Sequence, residues 1–159
     1  MKQDRFLTGI LIGIGVLIVL ALVLFFVRKE SETYIDDSSP EGVVHNYIVA
    51  LHKRDYDKAY GYLAEKEYKP TLEDFKTAFL SNMVNAGSSG AEIGETELSG
   101  SNAFVTVYTI YNSSDPFSSE YRNTETATLT QQDGNWKLTQ MPYNYWYYDW
   151  YQEPYNVKP

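Results

Sequence analysis

The chain has 159 residues, a formal net charge of −8 and no cysteine. Without cysteine there is no disulfide framework, thiolate zinc site or thiol nucleophile. The acidity excludes nucleic acid as a partner, because non-specific binding relies on Lys and Arg neutralising phosphates.

Residues 1–6 form a short N-terminal flank carrying Lys2 and Arg5. Residues 7–27, LTGILIGIGVLIVLALVLFFV, contain no charged side chain. As a helix this run is about 31 Å long, the thickness of a bilayer hydrocarbon core. The sequence therefore predicts a transmembrane helix. The run is longer than the apolar region of a signal peptide, and Arg28 and Lys29 come next in place of a small-x-small cleavage pattern, so the expected segment is uncleaved. Lys2 and Arg5 nearly balance Arg28 and Lys29, leaving orientation to the character of the domain that the segment carries. A domain poor in Lys and Arg and rich in Tyr, Thr, Ser and Asn is expected outside the cytoplasm. The predicted localisation is thus the cell membrane, single-pass, with the N-terminus inside. Gly9 and Gly13 form a small-xxx-small pair, which makes a homodimer a candidate beside plain composition.

Residues 28–39 read as a polar linker, and Asp36 and Asp37 lack the spacing of a calcium loop. Ser39 is a suitable N-cap and Pro40 suits the first helical turn. Val43, Val44, Tyr47, Ile48 and Leu51 then give one apolar stripe of helical period. Asp55 can cap a second, short helix with Tyr56, Ala59, Tyr60 and Leu63 inward. Thr71, with Asp74 three residues on, caps a third whose apolar face is Leu72, Phe75, Phe79 and Met83, ended by Gly87.

After Gly90 the apolar period becomes two. Strands are predicted over 91–98, 103–111, 120–131 and 135–140, with turns at Gly100-Ser101-Asn102 and Asp133-Gly134. Helices and then a meander imply an α+β domain, with three helices on one face of a curved antiparallel sheet. The domain is placed at residues 40–142, and residues 143–159 form an aromatic-rich C-terminal tail.

The segment PEGVVHNYIVALHKRDYDKAYGYLAEKEY, with Pro40, Val43, Tyr47, Ala50, Leu51, Asp55, Tyr56, Ala59, Tyr60 and Leu63, resembles the opening helices of the NTF2-like superfamily. QQDGNWKL, with Asp133, Gly134 and Trp136, fits its closing strand pair. The likeness is to membrane-anchored or lipoprotein-type members of unknown function, which also resemble the N-terminal domain of methicillin-resistance penicillin-binding proteins. It implies a cone-shaped, cystatin-like α+β fold. Enzymes of that group place an acid or base deep in the cone. Tyr47, Tyr60, Tyr108 and Tyr111, with Glu125, would be the equivalents here, each also readable as core or sheet margin.

His45 and His52 lie about 10 Å apart along one helix, too far to bind a metal as a pair. No metal and no cofactor are expected. Tyr143, Tyr145, Trp146, Tyr147, Tyr148, Trp150, Tyr151 and Tyr155 crowd the tail. They are readable as a last strand or a wrap over the cone mouth, as a binding platform, or as a contact with lipid headgroups. Candidate ligand-binding residues are Tyr47, Tyr60, Tyr108, Trp136, Trp146 and Trp150. Asn112-Ser113-Ser114 matches the glycosylation pattern.

The function expected from the sequence is a non-catalytic, membrane-anchored extracytoplasmic module that binds a ligand or protein at the cell envelope, its partner an envelope protein, a peptide or a glycan. Two alternatives stand beside it. One is a small-molecule enzyme of isomerase or dehydratase type using the cone pocket. The other is a structural scaffold that pairs with a larger envelope protein.

Overall fold

The computed structural model describes residues 5–28, 33–111 and 121–153, and within the first segment the side chains of residues 8–23. The glycosylation match at Asn112 and the end of the tail, with Tyr155, lie outside the described residues. Two compact units are distinguished, Met1–Glu32 and Thr33–Pro159.

The first unit contains helix α1 (Arg5–Arg28), whose described side chains are all exposed. A Cβ added at Gly9 or Gly13 would meet nothing within 4 Å. Among the described residues, no helix is long and apolar enough to cross a membrane. The expectations of a transmembrane helix at residues 7–27 and of a single-pass cell-membrane protein are corrected accordingly. So is the orientation drawn from them, with the N-terminus inside and the domain extracytoplasmic.

In the second unit, three caps start three helices. Ser39 Oγ accepts the Gly42 amide at 3.2 Å and opens α2 (Pro40–His52). Asp55 Oδ1 accepts the Lys58 amide at 3.2 Å and opens α3 (Tyr56–Gly61). Thr71 Oγ1 accepts the Asp74 amide at 3.1 Å and donates to Asp74 Oδ2 at 2.7 Å, opening α4 (Leu72–Leu80). Each cap satisfies an amide that the first helical turn leaves without a partner. α4 stops earlier than the apolar pattern suggests. Asn82 turns left-handed at φ 60° and its amide reaches Phe79 O at 3.2 Å, so Met83 falls beyond the helix.

The expected stripe of α2 is buried, but so are Gly42, Asn46, Val49 and Ala50. Residues 33–38, predicted as part of a free linker, explain this by lying against the helix. Asn46 holds them with its whole amide, accepting from Ile35 N and donating to Ile35 O, each at 2.8 Å. The Tyr34 ring sits under Lys58 Nζ at 3.3 Å from its centroid.

The sheet is a four-stranded antiparallel meander in the order β1 (Gly90–Ser99), β2 (Asn102–Tyr111), β3 (Tyr121–Gln132), β4 (Asn135–Gln140). Asp133 and Gly134 both take positive φ, 50° and 79°, as a two-residue hairpin whose twist matches its strands requires. Ala103, Val105, Val107 and Thr109 of β2 are fully buried beside Ala127 and Leu129 of β3, and α2 packs against β1, β2 and β4. The alternate residues Phe104, Thr106, Tyr108 and Ile110 face outward with the threonines of β3. β1 slips register between Ile93 and Thr96 in a bulge. β4 is joined on its free side by a short parallel bridge from Leu63, in which Ala64 N reaches Leu138 O and Leu138 N reaches Tyr62 O, each at 2.8 Å.

Burial raises the phenol of Tyr62 to about 12, assisted by the nearby Asp37 carboxylate. Burial lifts Tyr47 well above the ordinary value, with Tyr151 adding to the effect. A phenol whose folded value is raised keeps its proton longer folded than unfolded. Stability is therefore whole below pH ~10, the unfolded tyrosine value, and is lost as pH rises from there toward 12. Urea unfolding between pH 8 and 12 should show a midpoint falling above pH 10, with a shallower fall in Tyr62→Phe. A flat profile would contradict these burials.

Candidate functional site

The tail is a continuation of the core. After Met141 and Pro142 it makes one 3-10 turn (Tyr143–Tyr145) and then irregular turns, with no strand among its described residues. Tyr145 is fully buried, and Trp146 and Trp150 are each 6% exposed. Trp150 stacks on Phe75 at 5.0 Å between centroids and meets Trp146 edge-on at 5.0 Å. Tyr47, also fully buried, lies 6.4 Å from Phe75 and 6.3 Å from Trp146 and donates its hydroxyl to Tyr145 O at 2.8 Å. The helix-facing side of the sheet is thus filled with rings at the level of α2 and α4.

Beside this filling lies a cleft of about 360 Å³, lined by Tyr68, Pro70, Asp74, Thr77, Ala78 and Met83 on one side and Tyr147, Asp149, Trp150 and Gln152 on the other. α4 supplies Asp74, Thr77 and Ala78, which recur along one helical face. The turn at residues 147–152 supplies the opposite wall. The two walls are joined by a backbone hydrogen bond from Tyr151 N to Tyr68 O at 3.0 Å. Both residues are left-handed, Tyr68 at φ 59° and Tyr151 at φ 63°. The Tyr151 hydroxyl donates to Ala64 O at 2.6 Å, tying the turn to the segment after α3. Burial, reinforced by Glu65 and Tyr60, pushes the Tyr151 phenol far up, so it stays protonated.

Of the residues expected to bind, only Trp150 lines the cleft. Trp146 is outside the lining and meets Trp150 edge-on. Tyr60 gives its hydroxyl to Pro70 O at 2.9 Å, bracing the wall, while Lys69 Nζ sits 4.3 Å over its ring. Tyr47 is beneath, in the core. Trp136 lies on β4, half-buried against the core. Tyr108 is on the outer face of the sheet, paired with Glu92 and Thr124, with Arg122 over its ring at 5.4 Å. These six side chains do not converge on one site.

Tyr111 ends β2, and Glu125 lies across from Val107 of that strand. The Tyr111 hydroxyl shares a 2.5 Å hydrogen bond with Tyr143 and accepts from Asn144 Nδ2 at 2.7 Å. Asn144 also donates to Ser89 Oγ at 2.8 Å. Burial and Tyr143 raise the Tyr111 phenol, which moves it away from base chemistry at neutral pH. Glu125 faces the helix side and accepts from Thr109 Oγ1 at 3.1 Å and Asn123 Nδ2 at 3.2 Å. His45 and His52 place Nε2 2.9 Å from Thr33 O and 3.0 Å from Ala86 O. Among the described residues, no group of three His, Cys, Asp or Glu is placed to hold a metal ion.

Tyr68, Asp74, Met83, Tyr147, Asp149 and Gln152 were not legible as a site in the sequence, because their two groups are far apart in the chain. The local signal that existed was Met83, which continues the apolar pattern of the third helix past its end.

No family model and no curated protein matches the chain. Among solved structures it is similar to a SEC-C motif containing protein from Rhodopseudomonas palustris, at 14% identity and a TM-score of 0.47, over 67% of this chain and 79% of that one. It is also similar to an uncharacterized cystatin fold protein from Novosphingobium aromaticivorans, at 11% identity and a TM-score of 0.40, over 64% of this chain and 98% of that one. Neither likeness carries a residue's role to this chain.

Proposed function

We propose that residues 33–153 form a non-catalytic binding module whose site is the cleft between α4 and the turn at residues 147–152. The observation that carries this is the contrast between a ring-filled sheet face and the open, aromatic-lined cleft beside it. A volume of about 360 Å³ lies within the range of small-ligand pockets. The hydroxyls of Tyr47, Tyr60 and Tyr151 are spent on backbone carbonyls, which braces the module and leaves them unavailable to a substrate.

The test is a nuclear magnetic resonance screen with aromatic fragments. Shifts should gather at Trp150, Met83 and Thr77 and vanish in Thr77→Trp, which fills the cleft, while that variant keeps its unfolding midpoint. Shifts gathered around Glu125 and Tyr111 instead would favour a pocket enzyme, and an absence of shifts would remove the cleft as a site.

A further inference from the structure

Resting on the cleft as the binding site, we infer that its ligand is an organic ammonium, an amine cation carrying alkyl groups. Three aromatic residues line the cleft: Tyr68 and Tyr147 are partly exposed there, and Trp150, packed on Phe75, closes it behind them; the negative face of an accessible ring attracts a cation. Two carboxylates, Asp74 and Asp149, share the lining, which contains no Lys, Arg or His. The neighbouring lysines are engaged elsewhere: Lys76 Nζ is 2.9 Å from Asp57, and Lys69 Nζ is 2.6 Å from Glu65. Among the described residues, Asp74 and Asp149 have no cationic partner. Asp74 takes one hydrogen bond from the Thr71 hydroxyl and keeps further acceptor capacity.

The rest of the lining separates an ammonium from other cations. A bare metal ion needs several oxygen ligands, whereas Pro70, Ala78, Met83 and the rings offer apolar contact suited to alkyl groups. The walls are also set in advance. Tyr68 and Tyr151 hold left-handed backbone on opposite sides of the cleft and bond to each other, and Asn82 is left-handed too, immediately before Met83. Such conformations at non-glycine positions persist where the surroundings hold them. Both carboxylates are exposed, so their attraction is screened by salt.

The experiment compares choline with its neutral isostere 3,3-dimethylbutan-1-ol on the full chain, by calorimetry and by resonance shifts at Trp150. Choline is expected to bind roughly 10-fold more tightly. Asp74→Asn and Asp149→Asn should each weaken choline, and not the isostere, by about 3-fold or more, and raising salt should do the same. A parallel arm uses N-acetyl-lysine amide. Tighter binding of that probe places the ammonium on a peptide, and tighter binding of choline makes it a free amine. Equal affinities for choline and the isostere would overturn the inference while aromatic fragments continued to mark the cleft. If those fragments also failed to bind, the cleft itself would be lost as a site.

Discussion

Replacing Trp150 with alanine is expected to destabilise the domain by about 3–5 kcal/mol, the range for large rings removed from a packed interior. The indole is 6% exposed and touches four other rings: Phe75 and Trp146 at 5.0 Å, Phe79 at 6.0 Å and Tyr147 at 6.2 Å. Phe75 and Phe79 belong to α4, so the ring joins the tail to that helix. Its loss would open a cavity that the braced walls cannot close. Urea unfolding measures the effect. Tyr148→Ala, at a side chain 70% exposed, is the control, with a change of about 0.5 kcal/mol or less. A Trp150 effect as small as the control's would mean that the tail only decorates the surface.

Gly42→Ala should also destabilise, by about 1–3 kcal/mol, although alanine is the better helix former by ~1 kcal/mol. A Cβ at Gly42 would lie 2.0 Å from Asp36 O and 3.1 Å from its carbonyl carbon, and the obstacle is backbone. Residues 33–38 would have to lift from α2, releasing the Asn46 amide. Hydrogen exchange at the Ile35 amide reports this directly and should lose protection. Gly94→Ala offers a contrast, since its Cβ would meet Tyr108 Cε2 at 2.7 Å and a half-exposed ring can turn aside. A net gain of stability in Gly42→Ala would show that the segment is not held as described.

Local chemistry was legible in the sequence. Ser39, Asp55 and Thr71 each act as the caps their types suggest, and Asp133-Gly134 makes the expected hairpin. These features depend on a few adjacent residues. The tail was harder, because consecutive Tyr and Trp fit either face of a strand, and the left-handed Tyr151 that bends the chain back to Tyr68 has no signature at a tyrosine. The cleft was harder still. It exists only after residues 147–152 return to residues 68–83, and Asp74, whose capping role is plain from its spacing to Thr71, has its second role there by tertiary contact. Polarity misleads at residues 33–38, since the segment is held by the buried Asn46 amide at Ile35, by His45 at Thr33 O and by the Tyr34 ring packed against the core.

The order of the meander leaves β1 and β4 at the margins of the sheet, and the two margins are treated differently. β4 has its outer hydrogen-bonding row engaged by Leu63. Among the described residues β1 has no such cover, but it is interrupted by the bulge between Ile93 and Thr96 and carries Glu95 and Glu97, while its Glu92 is paired with Arg122 of β3 at 2.8 Å. An incoming strand would find a broken template and the charges of Glu95 and Glu97 beside the bulge, devices of the kind that keep sheets from joining edge to edge. Neutralising Glu95 and Glu97 would weaken this protection of the edge without touching the core.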